Sequence, residues 1–432
     1  METAEGISQE ITEAKTRADP QTTPVSFANG RLLIVDPDLD FIRTLGEQGG
    51  ETLKKCMQCG TCSATCAISP DQRPFPRKEM AWAAWGMKDR LLTDPDVWLC
   101  FQCNDCSMNC PRGARPGDVL AAIRRESVRH YAVPSFFGAL VNQPKYFPFK
   151  LLLPTVILGL AGLLRDPIAN ILGKEPETGT RIVYSYSTIF PHWLLNSVFL
   201  FFTALVLFAS AAGVVRFWRA LKSAGAWEGI VTPVKGVFPS FRATLKSILL
   251  HDKFAMCTAN QWRHLSHMGV LFGFLALSVV TFWVITSGIN PLIRGDFIYP
   301  FSFWSPWKLL ANVGGLAILV GCILMIYDRL RDIEQIGAGT YFDWSFILTL
   351  LIVVVTGFFT ELLHYFRMEP HRHIVYFVHL VFVFGLLMYL PYSKFAHLLY
   401  RATAMVYAEH IGRSNPNPEV ENSDERQEGR AQ

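Results

Sequence analysis

The chain has 432 residues and a formal net charge of +4, and this length allows two or three domains. Half of its residues are apolar and 13% are aromatic, which argues against an ordinary soluble protein. Residues 1–30 are polar and hold no apolar segment of the kind found in secretory signal peptides. The cysteines that follow are therefore expected in the reducing cytoplasm, where disulfides are rare and clustered cysteines bind metal.

Composition divides the chain into two domains and two tails, and the fold is expected to be all-α. The first domain is predicted to be small, with a short strand and a helix over 31–51 and helices over 77–92 and 116–131. The predicted segments are a disordered tail over 1–30, a cysteine-containing domain over 31–145, a membrane domain over 146–410 and a disordered tail over 411–432.

Six apolar blocks approach the ~20 residues that a membrane span needs, and a series of six argues against buried soluble helices. The first is the shortest, so five to six spans are predicted. Basic residues concentrate in the connection 216–263, which is too polar to span and is expected to form amphipathic helices on the membrane surface or against a partner. The positive-inside rule then places this connection, the cysteine domain and the C-terminus on the cytoplasmic side of the inner membrane. The blocks are 148–164, 193–215, 264–287, 307–327, 343–364 and 374–395.

Eight of the ten cysteines form two runs of identical spacing, and the second ends in Cys110-Pro111. Each run matches the C-x2-C-x2-C-x3-C pattern of bacterial 4Fe–4S ferredoxins, in which the fourth cysteine ligates the other cluster. Structural zinc is the alternative, but zinc needs only four ligands, usually in two separated pairs. Cys257 and Cys322 lie outside the runs and are expected to be buried or unpaired thiols. The pattern implies one cluster on Cys56, Cys59, Cys62 and Cys110, and another on Cys100, Cys103, Cys106 and Cys66.

Histidines inside the predicted spans are candidate haem ligands, because ionisable residues are costly in a membrane. His379 and His397 stand eighteen residues apart, a separation of ~27 Å along a continuous helix and nearly the thickness of a membrane. This spacing predicts two stacked haems, one toward each face. Bis-histidine ligation fills both axial positions, so such haems transfer electrons and do not bind oxygen.

The segment LPYSKFAH, which ends at His397, together with His379 resembles the last helix of the nitrate reductase gamma-subunit family. His267, followed by Met-Gly-Val-Leu, resembles the histidine of that family that binds the cytoplasm-proximal haem. The resemblance implies that His267 and His397 ligate the proximal haem, with His264 as the competing ligand.

The same comparison leaves His379 without its usual partner, because Leu277 stands where the family has a second histidine. His364 is the best substitute for a distal haem, and His192 is the next alternative. In the competing interpretation, His364 is an interfacial polar residue and only one haem binds. The family oxidises quinol near its distal haem, which implies a quinone pocket framed by His364 and Arg367.

The two cysteine runs are separated by 33 residues that are expected to be mainly helical, which resembles the helical ferredoxin of the heterodisulfide reductase C subunits and of succinate dehydrogenase. Followed by a gamma-like cytochrome b, this domain resembles a natural fusion of the C and E subunits of heterodisulfide reductase. Such a fusion is the C-subunit family of the quinone-interacting membrane-bound oxidoreductases (Qmo), and the segment 376–405 carries the likeness.

The Qmo resemblance implies haem b, two 4Fe–4S clusters and menaquinone as substrate. It also implies two soluble flavin and iron–sulfur subunits as partners, and electron exchange with adenylylsulfate reductase in dissimilatory sulfate reduction. The chain lacks a G-x-G-x-x-G fingerprint and a Cys-Cys-Gly motif, so the two-electron chemistry is assigned to the partners and no catalytic residue is expected here.

Two alternatives remain open at this point. The first is an equivalent subunit of a heterodisulfide reductase-like or sulfite-pathway membrane complex. The second, of a different class, is a haem-free membrane anchor or transporter with a ferredoxin-like sensor domain. Transporters usually show inverted repeats or broken spans, and no internal repeat is visible among these blocks.

Overall fold

The computed structural model describes residues 25–28, 31–34, 36–70, 73–173, 186, 190–227, 233–250, 261–289, 301–331, 337, 339–368 and 371–413. Within them the chain is helical except for two antiparallel strands, β1 (Val25–Ala28) and β2 (Arg31–Ile34), with Val25 opposite Ile34. Strand β2 was expected. Strand β1 lies in the predicted disordered tail, and that prediction was wrong for these four residues, since β2 needs a neighbouring strand for its ladder hydrogen bonds.

Short helices build the cysteine domain, which we define as residues 36–142. The predicted helix over 116–131 is confirmed. The helix predicted over 77–92 is instead two helices, because Gly86 takes a positive φ of 67° and lies against the backbone of Asp38. The helices are α1 (Leu39–Leu45), α2 (Thr61–Ala64), α3 (Arg77–Ala84), α4 (Lys88–Leu92), α5 (Asp96–Leu99), α6 (Asp105–Met108), α7 (Pro116–Tyr131) and α8 (Ser135–Asn142).

Longer helices follow in the second half of the chain. Six of those described are long and apolar enough to cross a membrane, which confirms the six predicted blocks and indicates a multi-pass membrane protein. The spans fall on α9, α11, α13, α14, α15 and α16. The helices are α9 (Phe147–Leu163), α10 (Arg165–Ile171), α11 (His192–Trp227), α12 (Val237–Leu250), α13 (Gln261–Ile289), α14 (Pro306–Arg331), α15 (Tyr341–Tyr365), α16 (His371–Met388) and α17 (Ala396–His410).

The last predicted span is not one continuous helix. Helix α16 ends at Met388, a 3-10 turn follows at Leu390–Tyr392, and α17 begins at Ala396. Pro391 accounts for the break, because proline has no N–H and disfavours helical backbone at the residue before it. The expected ~27 Å of unbroken helix between His379 and His397 was therefore wrong.

Helices α13 and α14 pack unusually closely along a seam of small residues. Gly269 and Gly273 stand one turn apart on α13, and a Cβ on Gly273 would lie 2.5 Å from the carbonyl oxygen of Gly314. Likewise, a Cβ on Gly321 would lie 2.8 Å from the carbonyl oxygen of Ser266. Such seams let membrane helices approach through backbone contact, and this one fixes the start of α13 against the end of α14.

The cysteine domain shares its hydrophobic core with the second half of the chain. Trp98 and Tyr131 of the domain pack on Phe217 of α11 and Tyr400 of α17, with ring centroids 5.0–6.3 Å apart. All four rings are buried. Helix α11 therefore runs past the predicted limit at 215 and ends inside the domain interface, and α12 packs on α17.

The start of the predicted C-terminal tail is also part of this interface. The Arg413 guanidinium donates to the buried Asp96 carboxylate and, at 2.7 Å, to the Arg73 carbonyl oxygen. The prediction of a disordered tail from 411 was therefore wrong for residues 411–413, because an ion pair with a buried carboxylate holds them. Residues 414–432 lie outside the described part.

Replacing Phe217 with Ala is expected to lower the free energy of unfolding by about 3–5 kcal/mol, because this side chain is fully buried at the junction. Phe201→Ala is the matched control, since Phe201 lies on the same helix and is 60% exposed. Thermal unfolding of each variant in detergent, followed by the visible absorbance of the clusters expected in the cysteine domain, gives the loss in its free energy of unfolding. Equal losses in the two variants would contradict the shared core.

Candidate metal centres

The two cysteine loops have the same backbone conformation. In the first, Gln58 and Gly60 have φ values of 59° and 87°; in the second, Gln102 and Asn104 have φ values of 54° and 69°. Each loop then enters a one-turn helix, α2 or α6, that carries the third cysteine. Two left-handed residues in a five-residue loop curl the backbone inward, so that the first three cysteines of a run face a common centre.

Backbone and side-chain donors face the cysteine sulfurs. The Gln102 N–H donates to Cys100 Sγ and the Ala114 N–H donates to Cys110 Sγ, both at 3.3 Å. In the first loop, Gln58 Nε2 donates to Cys56 Sγ, also at 3.3 Å. Hydrogen bonds to sulfur stabilise the thiolate, and they are one of the main factors that set the reduction potential of an iron–sulfur cluster.

The fourth cysteine of the first run lies with the second run. Burial, together with the neighbouring Cys100 and Cys103 thiols, raises the pKa of the Cys66 thiol to about 12. Burial also raises the pKa of Cys106, which lies near Cys100, Cys103 and Cys66. The structure thus brings together the four residues predicted for one cluster. Metal binding would draw these thiols into the thiolate form.

Cys62 lies beside Cys56 and Cys59, and burial raises its pKa to about 11. Cys56 and Cys110, predicted for the same set as Cys62, pack against one hydrophobic core, and Cys100 of the other set packs there too. The two sets are adjacent, because Cys62 also contributes to the raised pKa of Cys106. Cys59 is exposed, and the Thr61 hydroxyl beside it lowers its pKa.

A cavity of about 580 Å³ lies between the second cysteine loop and the start of α13 and α17. His267 and His397 face each other across it, with ring centroids 6.5 Å apart. This separation leaves room for one metal ion with nitrogen bonds of about 2 Å on either side. His264, the competing residue, does not line the cavity, and Cys322, expected to be a buried thiol, lines its wall.

The orientation of His397 suits a metal ligand. Its Nδ1 is hydrogen-bonded to the carbonyl oxygen of Lys394, which fixes the ring and leaves Nε2 for the cavity. Burial lowers the pKa of His397 to about 4, so the imidazole is neutral at pH 7. The neutral form is the one that binds a metal.

The cavity is polar at the cysteine-domain end and apolar toward the span interior. Val270, Phe274 and Leu350 form part of the apolar wall. Asp343 bonds to Lys394 and lies 3.6 Å from Arg125, so it links α15, α7 and the segment before α17. The basic lining residues are Arg115, Arg124, Arg125, Arg263, Arg329, Lys394 and Arg401; the acidic ones are Glu51, Asp118, Asp328 and Asp343.

The residues proposed for a distal haem are not brought together. His379 Nδ1 is hydrogen-bonded to the Thr356 hydroxyl at 3.0 Å, so it lies level with the middle of α15. His364 is eight residues beyond Thr356 on α15, which is about 12 Å along the helix axis. His192 is exposed at the start of α11. No pair of histidines like His267 and His397 is formed by these three.

His364 belongs instead to a polar and aromatic group at the far end of the bundle. Its ring lies 5.7 Å from that of Tyr186, which stacks on Tyr376 at 4.4 Å. The guanidinium of Arg372, a buried residue, lies 5.6 Å from the Tyr186 ring. Arg367, also predicted to frame a quinone pocket, is exposed at the end of α15. Cys257 lies outside the described residues.

Sequence reasoning missed two arginines at the second loop. Arg263 stands one turn before His267, and Arg401 stands one turn after His397. Both contact backbone carbonyls of the second cysteine loop. The spacing of four residues from each histidine was the available signal, but an arginine near the end of a span is ordinarily an interfacial anchor.

Comparisons with known proteins agree with a chain of two parts. A family model described as "Citrate utilization protein B" matches residues 151–419, and a "4Fe-4S dicluster domain" matches residues 52–114. "Citrate utilization protein B" of Escherichia coli is 27% identical over 380 residues, which cover 82% of this chain and 89% of that protein. No solved structure matches the chain.

Relatives of the N-terminal part come from archaea. The C subunit of the H(2):CoB-CoM heterodisulfide,ferredoxin reductase of Methanothermobacter marburgensis is 35% identical over 109 residues, 23% of this chain and 57% of that protein. A protein of Archaeoglobus profundus that is described as like the heterodisulfide reductase C subunit is 39% identical over 90 residues, 21% of this chain and 48% of that protein. The cysteine domain is thus an iron–sulfur electron-transfer domain related to the C subunits of heterodisulfide reductases.

Cys106→Ser is expected to remove one cluster, because Cys106 is a buried member of the set that includes Cys66. Non-haem iron, measured on the purified protein, should fall from about eight to about four atoms per chain. Cys322→Ser, a buried cysteine outside both runs, is the control and should retain the full iron content. Retention of eight irons in Cys106→Ser would contradict the assignment.

Proposed function

Since the chain belongs to the citrate utilization protein B family, we propose that it is the membrane electron-transfer subunit of a quinone-dependent oxidoreductase. It carries electrons between menaquinone and a soluble partner through haem b and two 4Fe–4S clusters. The observation that carries this proposal is the cavity in which His267 and His397 face each other beside the second cysteine loop.

The residues around the cavity fit a haem. His267 and His397 supply two imidazoles for the axial positions, and the apolar wall suits a porphyrin face. The basic side chains at the cysteine-domain end match the two propionates that haem b carries. Bound in this way, haem b supplies reversible one-electron transfer and has no open position for oxygen.

One haem is supported better than two. His379 is already hydrogen-bonded to Thr356, and His364 lies about two turns away from that level. The distal haem that was expected from His379 and His364 therefore remains a proposal with no matching geometry behind it. His264 and His192 are not needed as ligands of the supported haem.

The proposed site of quinone chemistry depends on the number of haems: with one haem it lies at the cysteine-domain end, beside the His267–His397 cavity, and with a second, distal haem it lies at the far end of the bundle. Quinol oxidation releases two protons, so its site needs polar groups that reach the membrane surface. Glu361 forms an ion pair with Lys308 at 3.1 Å one turn before His364, and Tyr186 and Arg372 lie beside His364. The cysteine domain sits at the opposite end of the spans, with the basic connections. We therefore place that end in the cytoplasm.

The soluble partners are proposed to be flavin and iron–sulfur subunits, because the chain itself shows no flavin fingerprint. Two settings compete for the physiological role. In the first, the partners exchange electrons with adenylylsulfate reductase in sulfate reduction, as in the Qmo complex. In the second, the partner is an oxidoreductase of citrate utilization, which the Escherichia coli relative favours because it matches both parts of this chain. Mixing the reduced protein with each purified candidate partner, and following reoxidation of the clusters, distinguishes them.

The decisive experiment is a haem-to-iron ratio with a redox-titrated visible spectrum of the purified membrane protein. We expect one b-type haem for every eight non-haem irons. His397→Ala and His267→Ala should each abolish the haem absorbance, because either change leaves an axial position unfilled. His264→Ala and His379→Ala are the matched controls and should retain it. A chain that holds its clusters but no haem would refute the proposal.

A further inference from the structure

Of the two cysteine loops, the second reaches the histidine cavity. Cys100, Phe101 and Gln102 line the cavity. In the described part of the chain, no cysteine of the first run does so. The loop thus lies directly between one cluster site and the His267–His397 pair.

An arginine from the helix of His397 holds this loop. Arg401 donates to the carbonyl oxygens of Leu99 and Cys100, both at 3.2 Å. Its guanidinium also lies 3.7 Å from the centroid of the Phe101 ring, a close cation–π contact. Because Arg401 is one turn after His397, the ligand helix and the cluster loop are joined by a single side chain.

A second arginine makes the equivalent contact from the helix of His267. Arg263, one turn before that histidine, donates to the carbonyl oxygen of Gln102. From the other side, Arg124 of α7 donates to the carbonyl oxygens of Val97 and Cys100, at 2.9 and 3.3 Å. The loop carbonyls are therefore satisfied by arginines from both halves of the chain.

We propose that the cluster on Cys66, Cys100, Cys103 and Cys106 is the one that exchanges electrons with the haem, and that Arg263 and Arg401 are the positioning residues that hold its loop against the two haem-ligand helices. The inference rests on the proposed function. It adds the order of the centres: haem, then this inner cluster, then the outer cluster on Cys56, Cys59, Cys62 and Cys110, then the soluble partner.

The surface of the first loop agrees with that order. Cys59 is exposed and Met57 is 62% exposed, so the outer cluster is open to a redox partner. By contrast, Cys106 is buried. In each transfer between the haem and the clusters, the donor loses one electron and the acceptor gains it, and no bond forms or breaks. A quinol is oxidised to the quinone in two successive one-electron steps with release of two protons, and the soluble partner takes up the two electrons.

The positive charge of the arginines also affects the reduction potential of the inner cluster. Arg263, Arg401 and Arg124 stabilise added negative charge near the inner cluster, so removing one of them disfavours its reduced form. The hydrogen bonds described above join these three side chains to the second loop and the residues just before it. Removing one of these arginines should therefore lower the reduction potential of the inner cluster more than that of the outer cluster.

The test uses the full-length protein in detergent with Arg401→Gln, Arg263→Gln and the double variant. Haem and iron contents are measured first, and the rates are compared per haem-containing chain. Electron transfer from quinol-reduced haem to the clusters, followed by stopped-flow absorbance, should slow about tenfold, or about 1.4 kcal/mol in the barrier. A redox titration followed by electron paramagnetic resonance should show a lower reduction potential for the inner cluster only.

Two further variants serve as controls. Arg401→Lys should recover part of the rate of electron transfer, and Arg43→Gln, whose side chain is 72% exposed, should leave this rate unchanged.

Cysteine variants identify which cluster is affected. In Cys62→Ser the remaining inner cluster should accept electrons from the haem at the native rate, whereas in Cys106→Ser the remaining outer cluster should do so about tenfold more slowly. The reverse pattern, or arginine variants that leave the rate unchanged in a haem-containing protein, would overturn the inference alone. A native protein without haem would overturn the proposed function and this inference with it.

Discussion

The hydrogen bonds between half-buried arginines and the carbonyls of the second cysteine loop hold the cysteine site and the histidine cavity in one arrangement. A guanidinium removed from water costs free energy unless its N–H groups are bonded, and Arg124 and Arg401 meet that condition on the same stretch of backbone. Because each comes from a different half of the chain, the loop cannot move without breaking charge-assisted bonds. The cysteine site and the histidine cavity are thereby fixed relative to each other.

The shared aromatic core supplies the apolar part of the same junction. The cysteine domain is small, and a domain of that size buries little surface by itself. Packing Trp98 and Tyr131 on Phe217 and Tyr400 gives it a larger core than its own residues provide. The two halves therefore behave as one folding unit at this end of the spans, which suits electron transfer, since transfer needs centres held at constant separation.

Membrane packing brings His267 to this junction. The glycine seam between α13 and α14 places the start of α13 beside the end of α14, and Pro391 ends α16 so that α17 can turn into the cysteine domain with His397 at its start. Had α16 continued, His397 would not stand at the start of a separate helix packed on the domain. The Escherichia coli protein aligns across both parts within one chain.

Local sequence patterns were sufficient to predict much of this protein's secondary structure and its cysteine motifs. The six spans, helix α7 and the two cysteine runs follow from apolar length, helical periodicity and ligand spacing, which depend on neighbours in the chain. The pairing of Cys66 with the second run is a prediction from the motif. Pro391 was also a local signal for the break before α17. Tertiary structure alone decided the rest: the choice of His267 over His264, the separation of His364 from His379, and the positions of Arg263 and Arg401. Each of these depends on contacts between residues far apart in sequence, whose geometry no local pattern encodes.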